Sequence, residues 1–194
     1  MTLPCGCPES FPDWDDQDIN LGGHLVHEQT APMFLHMPIA FDLYRQRQMD
    51  DIATLELHET WPGLALTRSA SFRGSIVRLL DDETCPARRV HRLPNPFRLR
   101  VALHHGDIGG MRPLLRNMQS RLISSGRKPL EVYLAYLTCP LCAEQRGGNK
   151  IMLLRHWTPS EKISKGLKKL KAKEAMKNGS RKAARNAKKT TTQR

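Results

Sequence analysis

The 194-residue chain has 39% hydrophobic residues and 13 Gly, which suits one packed domain with extensions and excludes wholesale disorder. No run approaches the roughly 20 apolar residues of a membrane-spanning helix, and Met1–Cys7 shows neither the basic nor the apolar region of a secretory leader, so a cytoplasmic protein is expected. The net charge of +12 divides into −9 over residues 1–59, +10 over 60–160 and +11 over 161–194, and no Lys precedes Lys128. So abrupt a change predicts a folded body, residues 1–160, and a separate Lys-rich appendage, residues 161–194.

Residues 1–37 give no regular pattern, because Pro4, Pro8, Pro12 and Pro32 interrupt it and Asp13, Asp15, Asp16 and Asp18 favour turns. A helix is predicted from Pro38 to about His58, stopped by Gly63. Leu64–Leu80 reads as two strands with a bend near Gly74, residues 81–96 as a surface loop, and Phe97–Leu103 as a strand. His104–Gly110 is a turn, with no phosphate-loop or dinucleotide fingerprint. Met111, Leu114, Leu115, Met118 and Leu122 repeat at helical spacing, and Gly126 ends that helix. Pro129–Leu137 and Ile151–Leu154 are strands joined by the long hairpin Cys139–Gly148. The order predicts an α+β fold: a mostly antiparallel sheet of four to five strands, two packed helices, a zinc knuckle and a basic C-terminal helix and tail. Past Asn178-Gly179 nothing apolar is larger than Ala, so residues 179–194 are expected to be disordered.

The strongest chemical signal is Cys5-Gly6-Cys7 with Cys139-Pro140-Leu141-Cys142. A C-x-x-C on a turn aims two thiolates at one point, and a C-x-C can supply two more, so Cys5, Cys7, Cys139 and Cys142 are the candidate ligands of one structural Zn²⁺. An iron–sulfur cluster and redox chemistry compete with that reading. His156 and His91 are the histidines able to replace a cysteine, and Cys85 stands apart.

A second cluster supports an enzyme reading. His24 and His27 are spaced i, i+3, close enough on a helical turn to share a metal, with Glu28 as general base and Asp15 as a further ligand. The competing reading is a solvated acidic loop. Among the arginines, Arg88 and Arg89 crowd a loop and Arg98 and Arg100 share one strand face. Such a face can follow a phosphate backbone, or it can be neutralised internally by the acidic N-terminal region. In the tail, Lys165, Lys168, Lys169, Lys171 and Lys173 surround a short Ile163/Leu167/Leu170 stripe, and Arg181 and Lys182 follow beyond it. That density attracts nucleic acid without sequence readout. The expectation is therefore a zinc-stabilised accessory protein for RNA or a ribonucleoprotein, with a metal-dependent enzyme of residues 13–28, or an adaptor for an acidic protein, as alternatives.

Overall fold

The computed structural model describes residues 2–35, 37–84, 87–173 and 176. Nine strands alternate with helices in the order β1 (Asp18–Asn20), β2 (Leu25–Phe34), β3 (Met37–Pro38), α1 (Phe41–Thr54), β4 (Leu66–Ser69), β5 (Arg73–Leu79), β6 (Val90–Arg92), β7 (Arg98–His105), α2 (Met111–Ser124), β8 (Arg127–Tyr136), α3 (Pro140–Ala143) and β9 (Lys150–Pro159). A further helix, α4, covers residues 161–173. The α+β class and the antiparallel sheet hold. The sheet is nearly twice as wide as the sequence predicts: eight strands run β1-β7-β9-β8-β4-β5-β2-β3, and β6 also pairs with β2.

The extra strands come from residues 1–37 and 81–96, where turn-forming residues hide them. β2 is the main one, pairing with β5 from Val26↔Leu79 to Pro32↔Arg73. Glu28 N–H bonds to Arg89 O and Pro32 O accepts from Ile39 N–H, both on the edge of β2 away from β5. The N–H that Pro32 lacks therefore falls on that edge, and the β5 ladder loses nothing. Gly74 lies inside β5, not at a bend. A Cβ there would meet Met33 Cε at 2.1 Å and Arg68 O at 2.3 Å, so only Gly lets the three strands approach. α1 starts at Phe41, three residues later than predicted, and the expected hairpin at Cys139 contains the short helix α3.

Directly paired residues of an antiparallel sheet point the same way. Thr67 opposes both Ile76 and Leu134, and Leu134 opposes Leu153, which opposes Ala102. On this face α1 buries Gln48 and Ile52, and α2 packs Met111, Met118 and Leu122 against Ile151, Leu153 and Trp157. The opposite face carries Val26, Val77, Leu99, Val101, Ala135, Met152 and Leu154, packed with Phe11, Trp14 and Trp61. α4 begins where Ser160 N–H bonds to Gly126 O at 3.0 Å. Cys85, Arg181, Lys182 and the expected disorder of 179–194 lie outside the described residues.

Candidate metal centre and polar sites

The two cysteine pairs meet across the chain. A turn closed by Leu3 N–H to Cys7 O at 2.9 Å and Gly6 N–H to Leu3 O at 2.8 Å points Cys5 and Cys7 inward, with Gly6 at φ +78°. Cys139 caps α3, with Pro140 in its first turn, and Cys142 follows one turn on. The four Sγ atoms lie within 4.8 Å of one another. Cys139 and Cys142 are 3.7 Å apart through sulfur, far beyond a disulfide and close to the about 3.8 Å edge of a tetrahedron with Zn–S bonds of about 2.3 Å. Arg146, beyond α3, bonds Pro8 O at 2.8 Å and Glu9 O at 3.0 Å, tying the same two segments together. A hydrogen bond from the Cys142 backbone holds the Cys139 thiol down to about 6, while burial pushes Cys7 up. A polyvalent cation placed among them would hold all four as thiolates.

The N-terminal acid–histidine cluster does not assemble. Residues 25–34 are strand, not helix, so His27 and Glu28 face opposite sides of the sheet. His27 lies under α1, where Gln48 Nε2 meets its Nδ1 at 3.2 Å, and Asp15 accepts the Leu103 N–H at 2.7 Å. His24 precedes the strand and belongs to no cluster; among the described residues the cysteines form the only group of three or more metal-capable side chains in reach of one point. The two histidines able to replace a cysteine are engaged elsewhere, His91 with Glu28 at 3.4 Å and His156 with Glu131 at 2.7 Å.

Some of the arginines are matched by carboxylates. Arg100 contacts Asp16 and lies 3.8 Å from Asp18, Arg127 bonds Asp18 at 2.8 Å, and Arg89 contacts Asp51. Arg98 and Arg127 lie over the Trp157 ring at 5.5 and 4.1 Å. Arg88 is exposed. On α4, Lys165 pairs with Glu161 at 3.1 Å, and Lys168, Lys169, Lys171 and Lys173 are exposed.

Sequence reasoning missed two polar constructions. Under α1, Arg78 is 1% exposed and joins Glu59 to Gln48, which joins His27. Across β8 and β9, on the face away from the helices, His156 Nδ1 and Glu131 share a hydrogen bond of 2.7 Å, and Phe97 stacks on His156 at 4.4 Å and meets Tyr133 edge-on at 5.9 Å. Burial raises the Glu131 carboxyl, but the His156 hydrogen bond and the His156 and Arg68 charges outweigh it and hold the group below its ordinary value. The buried Tyr133 hydroxyl is pushed well up and stays protonated, mainly by desolvation and then by the Glu131 charge. The strand alternation of β8 was the available signal, since it puts Glu131 and Tyr133 on one face.

A family model described as bacterial hydrolase matches residues 2–156, and with them both cysteine pairs, Glu131, Tyr133 and His156. The chain belongs to that family. Among curated proteins none matches the chain in sequence. The crystal structure of the EcmrR C-terminal domain is similar at a TM-score of 0.50 and 9% identity, covering 73% of this chain and 96% of that one. The cryo-EM structure of an EcmrR–DNA complex in EcmrR-RPo matches at 0.47 and 9%, covering 73% and 56%. At such identity the likeness to the C-terminal domain is one of fold.

Proposed function

We propose that this chain is a zinc-stapled member of the bacterial hydrolase family whose hydrolytic groups are Glu131, His156 and Tyr133. Cys5, Cys7, Cys139 and Cys142 would hold the zinc with four thiolates and no open position, so it would tie the N-terminal segment to the sheet and would not activate water. The observation that carries the hydrolytic reading is the Glu131 carboxylate, 44% exposed and fixed by His156 at 2.7 Å, on the face that also carries the protonated Tyr133. Glu131 takes a proton from a water molecule as its oxygen bonds to the electrophilic carbon. Tyr133 donates a hydrogen bond to the oxygen that gains charge, and the proton passes on to the leaving group. Turnover of a panel of activated esters and amides tests this. Glu131→Gln and Tyr133→Phe are each expected to lower it by about 10²-fold or more with metal content unchanged, and full activity in both variants would contradict the assignment.

A second reading is favoured by one observation, the exposed lysines of α4, which lie beyond the segment the family model matches. In it residues 161–194 form an appendage to a body of residues 1–160 and hold the cytoplasmic protein on nucleic acid, RNA or a ribonucleoprotein, by charge alone. An acidic protein is the competing partner. No helix among the described residues is long and apolar enough to cross a membrane.

A further inference from the structure

The outer edge of β2 is covered by β6 at Leu25–His27 and by β3 at Met33–Phe34. Between them it borders a cleft of about 710 Å³, walled by the C-terminal end of α1 and the segment before β6. This cleft lies three strands from Glu131 in the sheet order and plays no part in the proposed hydrolysis.

Two of its lining side chains are buried and incompletely partnered. His27 and Gln29 are 0% and 5% exposed, and His27 Nε2 and Gln29 Oε1 have no hydrogen-bond partner among the described residues. The nearest acid, Asp51, is 3.6 Å from Nε2, too far for a hydrogen bond, and is itself in contact with Arg89. Buried polar atoms left this way cost stability unless something satisfies them.

The neighbours settle which atom donates and which accepts. Gln48 Oε1 accepts from Arg78 Nε at 3.1 Å, so the Gln48 amide nitrogen is the atom that faces His27 Nδ1. That nitrogen gives its two hydrogens to His27 O and Ile76 O, both at 2.9 Å, and a proton on Nδ1 would point at this N–H₂ group from 3.2 Å, so the neutral ring is assigned with Nδ1 bare and its proton on Nε2. Gln29 donates its Nε2 to Thr30 O at 2.9 Å, which leaves Oε1 as an acceptor. His27 and Gln29 are two apart on one strand face, about 6.6 Å along β2. Glu28 is engaged by His91 at 3.4 Å, while Arg88 has no ion pair among the described residues.

What remains unspent is one N–H donor, one C=O acceptor and one guanidinium. The Asp51 carboxylate, 3.6 Å from His27 Nε2, disfavours a doubly charged phosphate more than a singly charged carboxylate. We infer that the cleft binds a small carboxylate with an N–H group on the adjacent carbon, an amino acid or an N-acylamino acid. Its carboxylate is held by Arg88 and His27 Nε2–H, and its N–H donates to Gln29 Oε1.

The test titrates the full chain with glycine, N-acetylglycine, propionate and inorganic phosphate, following the imidazole nitrogen resonances of His27. Glycine or N-acetylglycine is expected to shift them saturably with the proton kept on Nε2. Propionate, which lacks the N–H, is expected to bind about tenfold more weakly, and Arg88→Ala is expected to lose about tenfold while the exposed Arg116→Ala loses nothing. The site is overturned if no probe moves His27 or if Arg88→Ala binds normally. Binding of phosphate in preference to the carboxylates would overturn the ligand assignment.

Discussion

Arg78, 1% exposed beneath α1, donates Nη1 to both carboxylate oxygens of Glu59, at 2.8 and 2.7 Å. Its Nε–H goes to Gln48 Oε1, so the guanidinium is held from two sides and the helix is pinned to β5 by a polar bond. Removing one partner of a buried pair leaves an uncompensated charge, which costs far more than the pair is worth against apolar residues. Glu59→Ala is expected to destabilise the protein by about 3–5 kcal/mol in urea unfolding. The double variant Glu59→Leu, Arg78→Leu is expected to recover much of that loss. Equal loss in both would show that packing, not the charge, dominates.

His27 gives the fold an acid-sensitive point. Burial, and then the positive charges of Arg89 and Arg78, lower its pKa from the ordinary 6.5, against the opposing pull of Asp51. Below that ordinary value the unfolded chain takes up the proton first, so stability is full above about pH 6.5 and falls as the pH drops toward the folded value. The slope is at most about 1.4 kcal/mol per pH unit. Unfolding midpoints measured across this range should flatten in His27→Gln, and an unchanged slope would assign the acid sensitivity to other groups.

Asp16 in the turn before β1 and Asp18 at its start neutralise arginines of β7, α2 and β8. Asp16 contacts Arg100 and lies 3.5 Å from Arg121, while Asp18 bonds Arg127 at 2.8 Å. These pairs are partly exposed, so each contributes less than about 1 kcal/mol. Their loss is expected to change the surface more than the fold. Asp16→Asn with Asp18→Asn should elute from heparin at higher salt than the parent with nearly the same melting temperature. Unchanged elution would mean that these arginines are unavailable for reasons beyond their acid partners.

Deleting residues 161–194 removes 13 basic and 2 acidic side chains. RNA affinity is expected to fall steeply, and the dependence of its logarithm on the logarithm of salt concentration is expected to flatten, since fewer counterions are released. A truncated chain with the parent's affinity and salt slope would remove the nucleic-acid reading. Saturable binding to an acidic protein with no preference for RNA would favour an adaptor.

The extent to which the sequence disclosed this protein follows from how local each determinant is. α2 is readable to the residue because Met111, Met118 and Leu122 repeat along one stripe that packs on the sheet. β2 is not, because its inward positions include His27 and Gln29, and Pro32 reads as a break until its place on the outer edge is known. The cysteine quartet was legible across 131 intervening residues because few functions besides metal binding or redox chemistry ask for C-x-C with C-x-x-C. The acid–histidine cluster failed for the opposite reason: its i, i+3 geometry presumed a helix, and a strand separates the same residues. Glu131 and His156 meet only through the β8–β9 register, which carries an irregularity between Pro129 and Val132 that no local pattern predicts.

Metal content per chain, measured by elemental analysis on untagged protein purified without chelator, is the direct test of the zinc staple. About one zinc is expected, with near-complete loss of it in Cys142→Ser and a lower melting temperature after chelation, since binding to a closed site is folding free energy. Parent protein free of zinc, or carrying iron with visible colour, would contradict the zinc staple on which the proposed architecture rests.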